Sequence, residues 1–256
     1  MAATAMLESS QPLTDDFEKP FRFEAVDATE TEPVAKRLEA EDATPESVAV
    51  LGPGEFEKGR TLKIPKRRRE WLAARLAAKR LLGWHLQQEG VYLRPNQIEI
   101  LNREDGSPRV LLEGRRDYDT VSLSLSHSRG TGVAAIAPPG LRVGVDLEAI
   151  EPRAASFLSV MAHDEEWGDW MDHDLSEQTR LWTLKEAVSK LLLTGFTVGF
   201  HDVRFPLHGE TRRLSLHNKA LETYERLGSP IIHFDSFVRQ DEVLSIAYTT
   251  GDSVHG

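Results

Sequence analysis

The sequence predicts an α+β protein built as two similar lobes. Three observations lead there. A long helical stretch followed by a run of strands occurs twice, first over residues 65–137 and again over 176–249. Pro138-Pro139-Gly140 is the clearest breaker in the chain and falls between the two runs. With 256 residues and 40% hydrophobic content, the chain can bury a sizeable core, in one large domain or two small lobes. The expected divisions are a poorly ordered acidic arm over 1–32, a first lobe over 33–140 and a second over 141–256.

The arm is rich in Ser, Thr, Glu, Asp and Pro and has little periodicity, although Phe17, Phe21 and Phe23 offer anchors to the body. Pro33 to Glu41 reads as a short helix, Ser47 to Leu51 as a short strand, and Pro53 opens another helix through Arg60. Pro65 to Gln88 is the first long helix, with Trp71, Ala74, Ala78, Leu81, Leu82 and His85 at core spacing and Gly90 ending it. Gln97–Leu101 and Arg109–Leu112 flank the Asp105-Gly106 turn as a hairpin. Val121 to Leu125 alternates like a half-buried strand and leads into Ser126-His127-Ser128. Val133 to Ala137 returns as a strand, and Leu141 to Glu148 is the next.

Ala154 to Met171 reads as helix in two pieces broken near Ala162. His163, Asp164, Glu165, Glu166 and Asp169 look like a ligand cluster but are read as an acidic first turn, which the helix dipole favours. A second long helix runs from Ser176 to about Leu193. Strands follow at 201–205, 213–217, 231–239 and 243–249, the last two closing a hairpin.

Net charge is −10, which argues against broad nucleic-acid binding. Lys58 to Arg69 is nevertheless strongly basic. Positive charge at a helix N-terminus opposes the dipole, so this run favours one polyanionic ligand over a merely solvated face. There is no cysteine, hence no disulfide and no thiol chemistry. No apolar run approaches a membrane span, and no basic-then-apolar leader opens the chain. A cytoplasmic protein with no membrane or nucleic-acid partner is expected.

The chemistry concentrates in two stretches. Val143 to Glu148 reads V-G-V-D-L-E, a buried strand carrying Asp146 and Glu148 on one face. Like charges so placed repel unless a cation lies between them. Trp182 to Lys190 reads W-T-L-K-E-A-V-S-K. Leu181, Leu184, Val188, Leu191 and Leu192 form its apolar stripe, while Glu186 and Lys190 share another face. Taken alone, Glu186 and Lys190 could be an ordinary solvated pair. With Asp146 and Glu148, Glu186 makes three hard oxygen ligands of the kind that suit Mg²⁺.

G-V-D-x-E followed about forty residues later by W-x-x-K-E-A-x-x-K resembles the paired signature of the 4′-phosphopantetheinyl transferases. Length and the Ser126-His127-Ser128 triplet resemble the larger, single-chain Sfp type, and the resemblance spans residues 50 to 250. It implies a pseudo-twofold pair of α+β lobes with coenzyme A in the cleft between them, working as a monomer. It implies transfer of the phosphopantetheine arm of coenzyme A to a serine of an apo acyl or peptidyl carrier protein, releasing adenosine 3′,5′-bisphosphate. On that reading Asp146, Glu148 and Glu186 hold Mg²⁺ or Mn²⁺, and Lys190, assisted by Lys185, neutralises the phosphate. Glu186 takes the serine proton, directly or through a metal-bound water. Ser126 and His127, with cations among Arg60, Lys63, Lys66 and Arg69, meet the 3′-phosphate. Family members carry Lys or Arg within the hairpin turn. Here the turn is Gly106-Ser107-Pro108, and Arg103 or Arg109 is expected to supply the charge. Leu193 stands where the family has glycine, and Gly195 where it has another. Two other classes fit the same residues: a Mg²⁺-dependent coenzyme A or nucleotide hydrolase, and a non-catalytic relative that binds coenzyme A or a carrier protein.

Overall fold

The computed structural model describes residues 19–113, 116–171, 174–193, 199–208 and 211–253. Phe17 and Gly195 lie outside them.

The elements begin with strand β1 (Arg22–Asp27), helices α1 (Glu32–Glu39), α2 (Pro53–Thr61) and α3 (Pro65–Gln88), and strands β2 (Ile98–Asn102), β3 (Pro108–Leu112) and β4 (Arg116–Asp117). Strands β5 (Ser122–Ser128), β6 (Thr131–Ala137) and β7 (Val143–Ala149) occupy the centre. Helix α4 (Ala155–Met161) precedes α5 (Asp164–Glu166), a single turn that runs into a π turn at Trp167–Met171, and then α6 (Leu175–Leu191). Short strands β8 (Val203–Arg204), β9 (Leu207–His208), β10 (Thr211–Arg212) and β11 (Ser215–Leu216) lead to α7 (Asn218–Arg226) and the hairpin β12 (Pro230–Arg239) and β13 (Glu242–Ser253).

One antiparallel sheet has the order β1-β6-β5 and another the order β12-β13-β7. Helix α3 lies on the first sheet and α6 on the second, and both contacts are made in the same way. A Cβ added at Gly132 of β6 would fall 2.1 Å from the Ala74 nitrogen. One at Gly144 of β7 would fall 1.9 Å from the Ala187 oxygen. The helix backbones therefore rest directly on strand backbone, where only glycine leaves room.

Between the sheets lies an apolar layer in which Phe23, Val133 and Ala135 of one meet Val145, Leu147 and Ile246 of the other. The two sheets also meet at β5 and β7, through side chains. The backbone N–H groups of Val143, Val145 and Ala149 donate to the hydroxyls of Ser122, Ser124 and Ser128, at 3.0 to 3.2 Å. The alternation S-L-S-L-S-H-S turns every serine of β5 toward β7.

Two local expectations need correction. Residues 22–27 belong to β1, paired along β6, and not to a loose arm. Phe21 and Phe23 are buried, and that apolar anchorage outweighs the polar composition around them. Ser47–Leu51 forms no strand. The Thr44 hydroxyl accepts from Ser47 N, and the Ser47 hydroxyl accepts from Thr44 N, which closes a tight turn at Pro45–Ser47. Val48 and Leu51 reach the core from that turn.

The glycine contacts give a test with two signs. Gly144→Ala should cost about 3 kcal/mol or more in urea denaturation, because neither backbone can retreat. Gly83→Ala, in α3 with nothing within 4 Å of the added carbon, should stabilise by about 0.5–1 kcal/mol.

Candidate active site

The approach of α6 to β7 at Gly144 sets the register between helix and strand along the whole site. Gly144, Asp146 and Glu148 share the strand face that meets the helix. Asp146 is 4% exposed. Its Oδ1 accepts from Lys190 Nζ and from Ser126 Oγ, both at 2.7 Å. Lys190 also donates to the Val145 carbonyl at 3.1 Å. The other oxygen, Oδ2, is buried with no hydrogen-bond partner. A buried carboxylate oxygen left unpaired is costly, so it marks a position for a cation or donor from outside the chain.

Glu186 lies one turn before Lys190 on α6 and opens on the same cleft. Burial raises its carboxyl from 4.5 to about 7, with Asp146 and Glu148 adding to the rise and Lys190 opposing it. Glu148 is engaged differently. Trp182 Nε1–H donates to its Oε1 at 3.2 Å, and Arg153 donates to its Oε2 at 3.4 Å. Burial, then the Asp146 charge, raises its pKa, while these two donors lower it.

Among the described residues, no three His, Asp or Glu side chains gather as a metal-ligand group. The expected set of Asp146, Glu148 and Glu186 is not gathered as three, and Glu148 accepts from Trp182 and Arg153. Asp146 and Glu186 remain, and their hard oxygens suit a divalent cation that keeps most of its water.

Lys185 does not join this group. It is fully buried and ion-paired with Glu166 at 2.6 Å, and it also donates to the carbonyls of Met161 and Phe200. Burial lowers its pKa, with Glu166 opposing. A lysine adjacent in sequence to Glu186 is turned away from it by the helical rotation of about 100° per residue. Its role here is to fasten α6 to the segments around 161–166 and 200–205. Glu166 completes that fastening by accepting from Phe205 N at 2.7 Å and His163 N at 2.9 Å.

The cleft beside Asp146 has a volume of about 710 Å³. Both halves of the chain line it: Trp71, Arg75 and Ser126 on one side, Glu186, Ser189 and Lys190 on the other. A second hollow of about 890 Å³ shares Trp71 and His127 with it and adds Lys66, Arg67 and Arg129. His127 is open to solvent, but enough protein surrounds its ring that desolvation lowers its pKa, while Glu70 opposes the fall.

Of the basic residues expected here, only Lys66 lines either hollow. Arg69 pairs with Glu32 at 3.3 Å, Arg60 lies over the Phe56 ring, and Lys63 is exposed. Arg103 pairs with Asp119 at 2.6 Å and Arg109 with Asp117 at 2.6 Å. Neither supplies the charge missing from the turn, since the pleat of β3 turns Arg109 outward while Val110 faces the core. Lys58 and Arg75 line the cleft near that turn instead. Arg75 is 8% exposed and bonds to Asn102 at 3.3 Å, and its Nε is unpartnered. The sequence signal for Arg75 was a charge inside an otherwise apolar helical run. For Arg153, which comes after Pro152 outside any periodic stretch, there was none.

Three networks hold the walls in place. Glu99 accepts from Gly54 N at 2.5 Å and Glu55 N at 3.3 Å, at the start of α2, which carries Lys58. The buried pair Glu55–Lys79, at 2.5 Å, ties α2 to α3. Glu70 accepts from Gly130 N at 2.9 Å and so pins the β5–β6 turn next to His127.

Comparison with known proteins gives concordant matches. The sequence model of the 4′-phosphopantetheinyl transferase superfamily matches residues 142–243. A holo-[acyl-carrier-protein] synthase of Geobacillus kaustophilus (strain HTA426) is 37% identical over 115 residues, 43% of this chain and 83% of that protein. Among solved structures, the Helicobacter pylori holo-[acyl-carrier-protein] synthase in complex with coenzyme A is 18% identical, with a TM-score of 0.36 over 42% of this chain and 99% of its own. The Chronobacterium ammoniagenes ACPS–CoA complex is 19% identical, with a TM-score of 0.37 over 42% and 95%.

Two measurements test this electrostatic arrangement. A carboxyl raised to about 7 stabilises the fold fully below 4.5 and loses that contribution as pH rises toward 7. In EDTA, Glu186→Gln should therefore be more stable than wild type at pH 8, by about 2 kcal/mol, with the gap closing toward pH 4.5. Lys185→Met should lose about 3–5 kcal/mol by stranding Glu166, and Lys185→Met with Glu166→Leu should regain most of it in thermal melts.

Proposed function

Since this chain belongs to the 4′-phosphopantetheinyl transferase superfamily, we propose that it moves the phosphopantetheine arm of coenzyme A to a serine of an apo acyl or peptidyl carrier protein, with a divalent cation. Asp146 carries the reading, through its buried and unpartnered Oδ2 beside Lys190, Ser126 and Glu186. We further propose the single-chain form of the family working as a monomer, with β1 (Arg22–Asp27) joining the 33–140 lobe and 141–256 forming the second. Both walls of the cleft come from one chain, which supports that form.

Asp146 and Glu186 are the residues that would hold Mg²⁺ or Mn²⁺, which when bound draws charge from the pyrophosphate oxygens. The acceptor serine attacks the β-phosphorus of coenzyme A. The new bond joins serine Oγ to phosphorus, and the bond to the leaving adenosine 3′,5′-bisphosphate breaks. Glu186, which lines the cleft, receives the hydroxyl proton. Lys190, fixed by Asp146 and the Val145 carbonyl, offers its remaining N–H to the phosphate. Lys66, Arg67 and His127 face the hollow that would take the 3′-phosphate end, and Lys58 and Arg75 border the pyrophosphate side. The nucleophile belongs to the partner, so the chain needs no serine triad of its own.

Intact-mass spectrometry of an apo carrier protein, after incubation with this protein, coenzyme A and Mg²⁺, should show the gain of one phosphopantetheine group, abolished by EDTA. Glu186→Gln and Lys190→Ala should each slow transfer by about a hundredfold or more. No gain on any carrier with coenzyme A consumed would indicate a hydrolase. No gain with coenzyme A bound and intact would indicate a non-catalytic relative.

A further inference from the structure

Glu148 stands one pleat beyond Asp146 on the same face of β7, yet its surroundings differ in kind. Asp146 keeps an oxygen with no partner, whereas both oxygens of Glu148 are engaged, one by Trp182 and one by Arg153. Arg153 is no passing surface residue. Its side chain is 16% exposed. The guanidinium lies 5.2 Å from the Phe157 ring and 5.8 Å from that of Trp182. Those rings meet edge-on at 4.8 Å, and Phe200 packs on Trp182 at 4.7 Å. Arg153 Nε is buried without a hydrogen-bond partner. What holds this cation is the aromatic walls and the Glu148 carboxylate.

The chain thus brings two cations to its two strand carboxylates. Lys190 takes one oxygen of Asp146 and leaves the other open. Arg153 and Trp182 each take one oxygen of Glu148, whose side chain is 31% exposed.

We propose that Arg153 is the built-in counter-cation of Glu148, a positioning residue that keeps this carboxylate outside the inner ligand set and leaves the divalent cation to Asp146 and Glu186. The proposal rests on the divalent-site reading above. Glu148 then acts on the ion only through space, and its charge is offset by Arg153. Removing either partner changes the field at the site in opposite directions, and removing both restores it.

The test is Mn²⁺ binding to the full chain, read from the electron paramagnetic resonance signal of the free aqua ion without coenzyme A. Asp146→Asn should weaken binding by about a hundredfold or more, as loss of an inner ligand does. Glu148→Gln should weaken it about tenfold and Arg153→Gln should tighten it about tenfold, one uncompensated charge apart in each direction. The Glu148→Gln, Arg153→Gln double variant should return to wild-type affinity, and Arg153→Lys should remain near it. A double variant as weak as Glu148→Gln would make Glu148 a direct ligand and overturn the proposal. So would an Arg153→Gln protein with unchanged or weaker affinity, the mark of a merely structural or orienting arginine. If Arg153→Gln melts early, Glu148→Gln alone decides, since a loss equal to that of Asp146→Asn overturns the idea. Wild-type protein that binds no Mn²⁺ would sink the divalent-site reading itself, and the proposal with it.

Discussion

The backbone of α6 passes so near β7 that no side chain fits between them at Gly144. The rest of the site depends on that contact. It sets the height at which Lys190 meets Asp146 and the point at which Trp182 meets Glu148. It also leaves the helix little freedom to slide, because a packed backbone contact has no flexible side chain to absorb the shift. The same device at Gly132 fixes α3 and, through Glu70, the turn next to His127. Two glycines that do no chemistry therefore determine where the chemical groups stand.

Around this frame, four acids are paired with cations. Glu55 has Lys79, Glu166 has Lys185, Asp146 has Lys190 and Glu148 has Arg153. Removing either member of such a pair strands a charge in a poorly solvated place, which is why the partners occur together. Glu186 departs from the pattern: Lys190, the nearest cation, is committed to Asp146. Its pKa is raised first by burial and then by the Asp146 charge, with Lys190 opposing. Lys185 and Lys190 are both lysines of one helix, yet they serve opposite ends, one closing a buried network and the other open to the cleft.

Much of this was legible in the sequence where a side chain's address is fixed by periodicity. The long helices, the central strands and the shared face of Asp146 and Glu148 come from spacings of about 3.6 and 2. What was not legible depends on contacts distant in sequence. Strand β1 was hidden because polar neighbours masked Phe21 and Phe23, and its partner β6 lies more than a hundred residues away. Of the six basic candidates for the polyanion wall, four come from the charged run and two from the family's hairpin turn, and neither source says where a side chain is aimed. Only Lys66 faces a hollow, while Arg69, Arg103 and Arg109 are taken by acids. Helical spacing puts Lys185 with Leu181 and Val188 on the buried side of α6, so its assignment to the phosphate rests on motif order alone.

The serines between β5 and β7 have a consequence for how the two halves find each other. A main-chain ladder can join almost any two strands, since every residue brings the same donor and acceptor. Here the strand is recognised by hydroxyls at alternate positions, Ser122, Ser124 and Ser128, each meeting an N–H of β7. A slip of one residue would present leucines instead, and nothing would receive those N–H groups. The seam is thus an address written in side chains. It can be edited one residue at a time, and it rejects wrong neighbours that bare backbone would accept.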